Sequence, residues 1–212
     1  MPCTEVSVLP LVAGSDLRDP SNPTAIVLKD CFDIVGRQNG FQQYFLGQTI
    51  EDAGKLVGFL DWDKVEDHLA WKEHPEYAGV GELISPIFPG GGRVFHVDFT
   101  PHEEFIKAIK APVTEVSTYY FEDGPPADYL DKLFSLRPVV EKVDGIIASA
   151  AGITYEELEY EGVKGKAVVL VAGWQSAETH AAFKETAAYK ENAALLQRSA
   201  KKQEVYHVAF VN

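Results

Sequence analysis

The stretch Lys55 to Tyr77, KLVGFLDWDKVEDHLAWKEHPEY, returns without a gap as Ala167 to Tyr189, AVVLVAGWQSAETHAAFKETAAY. Trp62 and Trp174, His68 and His180, Lys72 and Lys184, and Tyr77 and Tyr189 are each 112 residues apart. The repeat extends in both directions. Thr4-Glu5-Val6-Ser7 reappears as Thr114-Glu115-Val116-Ser117 at an offset of 110, and Val94 to Phe99 as Val205 to Phe210 at an offset of 111. A period this long marks two duplicated domains and not a solenoid of short repeats. The boundaries that follow are 1–105 and 106–212.

Each half is small enough to bury a modest share of its surface, so a duplicated pair has reason to share a core. The net charge of −13 opposes binding to phosphates, and no Lys/Arg stripe interleaved with aromatics offsets it, so nucleic acid and anionic membrane are excluded as partners. The sequence contains no apolar run of about 18 residues and begins without the basic region of a secretory signal, which predicts a cytoplasmic protein. Cys3 and Cys31 form neither a disulfide framework nor a zinc spacing and read as reduced thiols.

Hydrophobic alternation predicts strands at Thr4 to Val12, Phe41 to Thr49, Lys55 to Trp62 and Arg93 to Phe99. A helix runs to about Gln38 after the capping stretch Asp19 to Pro23, and a second follows Asp63, read as its N-cap with Glu66 three residues on. Pro75 breaks that second helix, and a shorter one runs through Leu83. The second half repeats the order. It has strands at Thr114 to Phe121, Thr154 to Tyr160, Ala167 to Trp174 and Gln203 to Phe210. Its helices run from about Pro126 to Ala150 and from Ser176, the latter continuing past Tyr189 to Arg198. Thr100 to Pro112 reads as a linker with no fold of its own. Each half is therefore βαββαβ, a ferredoxin-like α+β unit with both helices on one sheet face. Two such sheets can cover one another.

Trp62, His68 and His74-Pro75-Glu76-Tyr77, followed by the strand Val94 to Phe99 and Thr100-Pro101, resemble the dimeric α+β barrel superfamily. More narrowly, the chain is similar to the antibiotic-biosynthesis-monooxygenase-like (ABM) domains, in the tandem form met in fungal proteins. The resemblance covers both halves. It implies two tandem ferredoxin-like repeats forming an intramolecular dimeric α+β barrel, with a small apolar pocket in each half. Members of the superfamily include cofactor-free oxygenases acting on polyketide quinols, haem-degrading oxygenases, polyketide cyclases and lactone isomerases, so fold is a weak guide to reaction. His74 to Glu82 also resembles the plant polyketide cyclase of the superfamily, but that enzyme's catalytic His falls on Tyr77 and its catalytic Tyr on Trp71.

Four histidines are the candidate catalytic residues. His68 and His180 each stand six residues past a tryptophan, placed to act as general base or substrate-orienting donor, or else to cap the strand-helix corner. His96 and His207 lie mid-strand on the opposite face from their neighbours, and alternation alone leaves open whether that face meets the helices. Trp62, Trp71, Tyr77, Tyr119, Trp174, Phe183 and Tyr189 form two aromatic sets able to stack on a planar ligand or simply to pack. Asp61 and Asp98 are acids in apolar strands, read as solvated strand ends or as partners that fix a histidine tautomer.

No dinucleotide, Walker, GxSxG or HExxH motif is present, and no metal site is expected. No cofactor is expected either, although haem stays open because one axial histidine suffices. Two functions fit. One is a cofactor-free monooxygenase or a cyclase/isomerase acting on an aromatic or polyketide-like molecule. The other is a non-catalytic ligand-binding or stress-related protein with a residual pocket. The partner in both is a small apolar or aromatic molecule. A repeat able to close its own barrel predicts a monomer, while edge strands leave a homodimer open.

Overall fold

The computed structural model describes residues 2–187, 189–192 and 199–211. The chain divides into two compact units, one of Met1–His96 with Val208–Asn212 and one of Val97–His207. In the first unit the strand Lys55–Trp62 pairs antiparallel with both Cys3–Pro10 and Phe41–Thr49, and in the second Val163–Trp174 pairs antiparallel with both Val113–Tyr120 and Ile146–Tyr160. Among the described residues no helix is long and apolar enough to cross a membrane.

The first unit contains β1 (Cys3–Pro10), α1 (Pro23–Val35), β2 (Phe41–Thr49), β3 (Lys55–Trp62), α2 (Val65–Lys72), α3 (Pro75–Ile84) and most of β4 (Arg93–Val97). Asn22 caps α1 by accepting from the Thr24 amide, with Pro23 pre-set for the first helical turn. Leu28, Cys31, Phe32 and Val35 then form the buried stripe of α1 and pack with Leu46, Leu56, Leu60 and Trp62 of the sheet. β1 and β3 pair antiparallel with Cys3 opposite Trp62 and Glu5 opposite Leu60. Cys3, Glu5, Ser7 and Leu9 therefore share one face of β1.

The second unit contains α4 (His102–Ile109), β5 (Val113–Tyr120), α5 (Tyr129–Ser135), α6 (Arg137–Val140), β6 (Ile146–Tyr160), β7 (Val163–Trp174), α7 (Ala177–Lys184) and β8 (Lys202–Phe210) as far as His207. β5 and β7 reproduce the register of the first unit, with Val113 opposite Trp174 and Glu115 opposite Ala172. A capping box between Ser176 and Thr179 starts α7.

Five expectations are corrected. The helix expected from about Pro126 to Ala150 is two short helices, and β6 begins at Ile146. Gly145, at φ +86°, turns the chain there, and Ala148 to Ile153 pair with β7. Thr100 to Pro112 does not lack a fold, because Phe105, Ala108 and Ile109 recur at helical spacing and bury one side of α4. Asp63 does not cap α2, which starts from Lys64 with no side-chain cap, and its carboxylate accepts instead from Gln42. Asp61 is not a solvated strand end: it is 1% exposed and accepts from Thr4 Oγ1 at 2.6 Å and Gln43 Nε2 at 2.8 Å. The helix expected from Ser176 to Arg198 is not continuous: α7 ends at Lys184 with Glu185 as its C-cap, helical residues resume at 187 and 189–192, and 193–198 lie outside the described residues.

Candidate functional site

In each unit three strands and a helix bring a glutamate, a tryptophan and two histidines to one place. In the first unit Glu5 projects from β1, Trp62 ends β3, His68 stands in the first turn of α2, and His96 projects from β4. His68 Nδ1 and His96 Nε2 are 2.7 Å apart, and His68 Nε2 lies 3.3 Å from Glu5 Oε2. The Trp62 indole N–H donates to the same Glu5 oxygen at 3.2 Å, and Ser7 donates to the other at 3.4 Å. His68 stacks on Trp62 with 5.1 Å between ring centroids. His96 thus occupies the helix-facing side of its sheet, which strand alternation left undecided.

The second unit repeats this arrangement more tightly. His180 Nδ1 and His207 Nε2 are 2.7 Å apart, and His180 Nε2 lies 3.0 Å from Glu115 Oε2. Ser117 donates to Glu115 Oε1 at 2.6 Å, and His180 stacks on Trp174 at 4.7 Å. One neutral tautomer satisfies both contacts of the central histidine: Nε2–H faces the carboxylate and Nδ1 accepts from the neighbouring imidazole N–H.

The two carboxyls differ in electrostatics. Burial pushes Glu5 above the ordinary carboxylate range, only partly opposed by the Trp62 hydrogen bond, the His96 charge, Ser7 and Lys72. Burial acts on Glu115 in the same sense. There the hydrogen bond and charge of His180, with Ser117 and Lys184, outweigh it and hold the carboxyl below its usual value. Burial and the nearby Glu115 charge push the Tyr119 hydroxyl well up, so it stays a proton donor near neutral pH.

Each constellation borders a cavity inside its own unit. In the second unit a cavity of ≈ 170 Å³ is lined by Glu115, Tyr119, Trp174, His180, Phe183 and Tyr189, with Arg137 and Lys184 also in its wall. The first unit has one of ≈ 160 Å³, lined by Glu5, Trp62, His68, Trp71 and Tyr77 among aliphatic side chains. Trp71 meets Tyr77 edge to face at 5.6 Å, and Phe183 meets Tyr189 likewise at 5.3 Å. The structure thus gathers every aromatic candidate at one of the two cavities. His96 and His207 stand behind His68 and His180 and are not part of either wall.

Sequence reasoning missed the glutamates as site residues. The available signal was a carboxylate kept in both copies of Thr-Glu-Val-Ser, each within an apolar strand. The acids singled out instead lie elsewhere. Asp61 pairs with Thr4 and Gln43, while Asp98 accepts from Tyr155 at 2.8 Å. Cys3 and Cys31 are buried free thiols, and burial with the Glu5 charge raises Cys31 to about 11. Among the described residues no group of three or more His, Cys, Asp or Glu side chains is arranged to hold a metal ion. His68 and His180 turn their ring nitrogens to a glutamate and a second histidine, so neither directs a lone pair into its cavity as an axial haem ligand would.

No protein-family model matches the sequence, and no curated relative does. Solved structures do match. An anthrone oxidase-like protein superposes with a TM-score of 0.73 at 14% identity, covering 100% of this chain and 92% of its own. A "putative monooxygenase" from Lactobacillus acidophilus NCFM gives 0.59 at 13% identity over 99% and 93% of the two chains. A "putative chlorite dismutase" gives 0.55 at 12% identity over 100% and 96%. At these identities the likeness is one of fold alone, an antiparallel α+β fold consistent with a ferredoxin-like repeat present twice in one chain.

Proposed function

We propose that the chain is a small-molecule enzyme of monooxygenase-like type that deprotonates an aromatic or polyketide-like substrate in an apolar cavity and leaves the resulting carbanion or phenolate to react with dioxygen without a cofactor. The observation that carries this reading is the run of contacts from His207 through His180 to Glu115, which ends on the wall of an apolar cavity. A base needs three properties here: ionisation at neutral pH, a fixed orientation, and an apolar approach for its substrate. Glu115 is held ionised and is oriented by His180 and Ser117. His207 fixes the tautomer of His180, so it is a positioning residue. Tyr119, Phe183 and Tyr189 supply the ring-binding walls.

The solved neighbour described as anthrone oxidase-like suggests the first substrate to try. Anthrone carries an acidic ring CH2. Loss of one proton to the Glu115–His180 pair gives the enolate, and oxidation by one O2 replaces the CH2 by C=O and releases one water, the abstracted proton ending in that water. The first unit supports the other reading, a residual pocket, since Glu5 already accepts from Trp62 and Ser7 of its own strands.

Oxygen uptake with anthrone, corrected for the rate without protein, tests the reading. The wild type is expected to consume one O2 per anthrone, and Glu115→Gln to lower the catalysed rate about 100-fold or more. A folded Glu115→Gln variant that keeps the wild-type rate, or a wild type with no rate above background on anthrone and on hydroxynaphthalene quinols, overturns it.

A further inference from the structure

The two cavities differ in the pairing of one tryptophan and in the charges of their walls. In the first unit the Trp62 indole N–H donates to Glu5 at 3.2 Å. In the second unit the indole N–H of Trp174, a residue 2% exposed, has no hydrogen-bond partner among the described residues. Trp174 forms part of the cavity wall beside Glu115 and His180. Buried donors in folded proteins are paired in the great majority of cases, so an orphan beside a cavity points to an acceptor that arrives from outside. The charges near it agree. Arg137 and Lys184 belong to the same wall, and among the described residues neither has a salt-bridge partner, whereas no Lys or Arg lines the cavity of the first unit.

We infer that the tandem is asymmetric, with the second unit alone anchoring an aromatic ligand that carries a carbonyl, enolate or phenolate oxygen, which accepts from the Trp174 indole N–H. The inference rests on the reading of this cavity as a ligand site and adds the ligand's acceptor oxygen and the unit that holds it. Trp174 fixes the oxygen, Phe183 and Tyr189 hold the rings, and Arg137 and Lys184 favour the negative charge that develops on the oxygen when Glu115 takes the proton. In the first unit the equivalent donor already has its acceptor, so an oxygen-bearing ligand gains nothing there over a hydrocarbon.

A matched pair of probes isolates the oxygen. A cavity of about 150 Å³ holds a benzene ring, so the two-ring ketone 1-tetralone and its hydrocarbon counterpart tetralin suit a site of ≈ 170 Å³ with a mouth. The three tryptophans of the chain give three indole N–H cross-peaks in a 1H–15N spectrum, assigned by single Trp→Phe variants. With 1-tetralone the Trp174 peak is expected to move downfield and the Trp62 peak to stay, while tetralin moves Trp174 by ring-current effects alone. The ketone is expected to bind about tenfold tighter than the hydrocarbon, the factor given by about one net hydrogen bond. Trp174→Phe is expected to abolish that preference and Trp62→Phe to retain it. If Trp174→Phe does not fold, the wild-type spectrum still decides, with Trp174 assigned by elimination from Trp62→Phe and Trp71→Phe.

Equal affinity for ketone and hydrocarbon, movement of the Trp62 peak instead, or binding of neither probe overturns the inference. The oxidase reading fails separately. An absence of anthrone turnover with the Trp174 peak responding as expected leaves the anchor standing and removes the reaction, and turnover without a ketone preference does the reverse.

Discussion

At the scale of single residues the two glutamates hold equivalent places and behave in opposite senses. Glu115 is depressed because His180, Ser117 and Lys184 together outweigh its burial, while Glu5 is raised because Trp62, His96, Ser7 and Lys72 do not. A depressed carboxyl contributes stability that is present above its unfolded pKa and is lost as pH falls through the folded value. A raised one contributes stability that is present below the unfolded value and is lost as pH rises through the folded one. Glu115→Gln should therefore cost stability at neutral pH, and that cost should shrink on acidification. Glu5→Gln should show the reverse, becoming less costly relative to wild type as pH rises. Denaturant unfolding of both variants between about pH 4 and pH 7, across the ordinary carboxylate range, reads the two slopes, and slopes of the same sign would show that the carboxyls are equivalent. Residue names alone did not reveal this contrast. Thr-Glu-Val-Ser is identical in both halves, and the difference comes from His180, which approaches Glu115 to 3.0 Å and lowers it, whereas His68 stands 3.3 Å from Glu5.

At the scale of elements, the sequence was informative wherever a pattern had a period and much less so where a boundary rested on one residue. Each strand among the described residues was visible at least in part, β6 only from Thr154 to Tyr160, because a strand that buries one face repeats its apolar residues every two positions. The helix-side pairing of His96 with His68 was not, since alternation says only that His96 and Phe95 face apart. The overlong helix before β6 came from reading the apolar run Ile146 to Ala151 as helical, when a turn at Gly145 and pairing with β7 make it a strand. The missed helix α4 was legible. Phe105, Ala108 and Ile109 are spaced for one helical face, although α4 has no counterpart within the repeat. Phe105 is fully buried and stacks on Phe99 with ring centroids 4.3 Å apart. Phe105→Ala should then cost about 3–5 kcal/mol, while Lys107→Ala on the exposed face stays within about 0.5 kcal/mol. Guanidinium unfolding measures both, and a Phe105→Ala variant as stable as wild type would mean that α4 is the mere linker first expected.

At the scale of the molecule, duplication explains why two sites of one design need not do one job. The repeat preserves Glu, Ser, Trp and His in both copies, and with them the register that sets Glu5 opposite Leu60 and Glu115 opposite Ala172. That register is enough to keep both sheets folded. The units differ beyond that register: the Trp62 donor is bound to Glu5, while the Trp174 donor has no partner among the described residues. Selection on turnover can hold one copy while the other is free to close its polar groups on one another, as Trp62, Ser7 and His68 do around Glu5. The equivalent substitutions His68→Ala and His180→Ala separate these roles. Each leaves a buried glutamate without its imidazole and should lower stability by a similar amount, about 1–3 kcal/mol. Their effects on anthrone oxidation should differ: His180→Ala is expected to lose about 100-fold or more, and His68→Ala to stay within about threefold once corrected for the folded fraction. Initial rates beside unfolding midpoints read both quantities on the same preparations. Equal losses of rate would place catalysis in both units. A loss confined to stability in both variants would leave the two histidines with the single task of holding their strands to their helices.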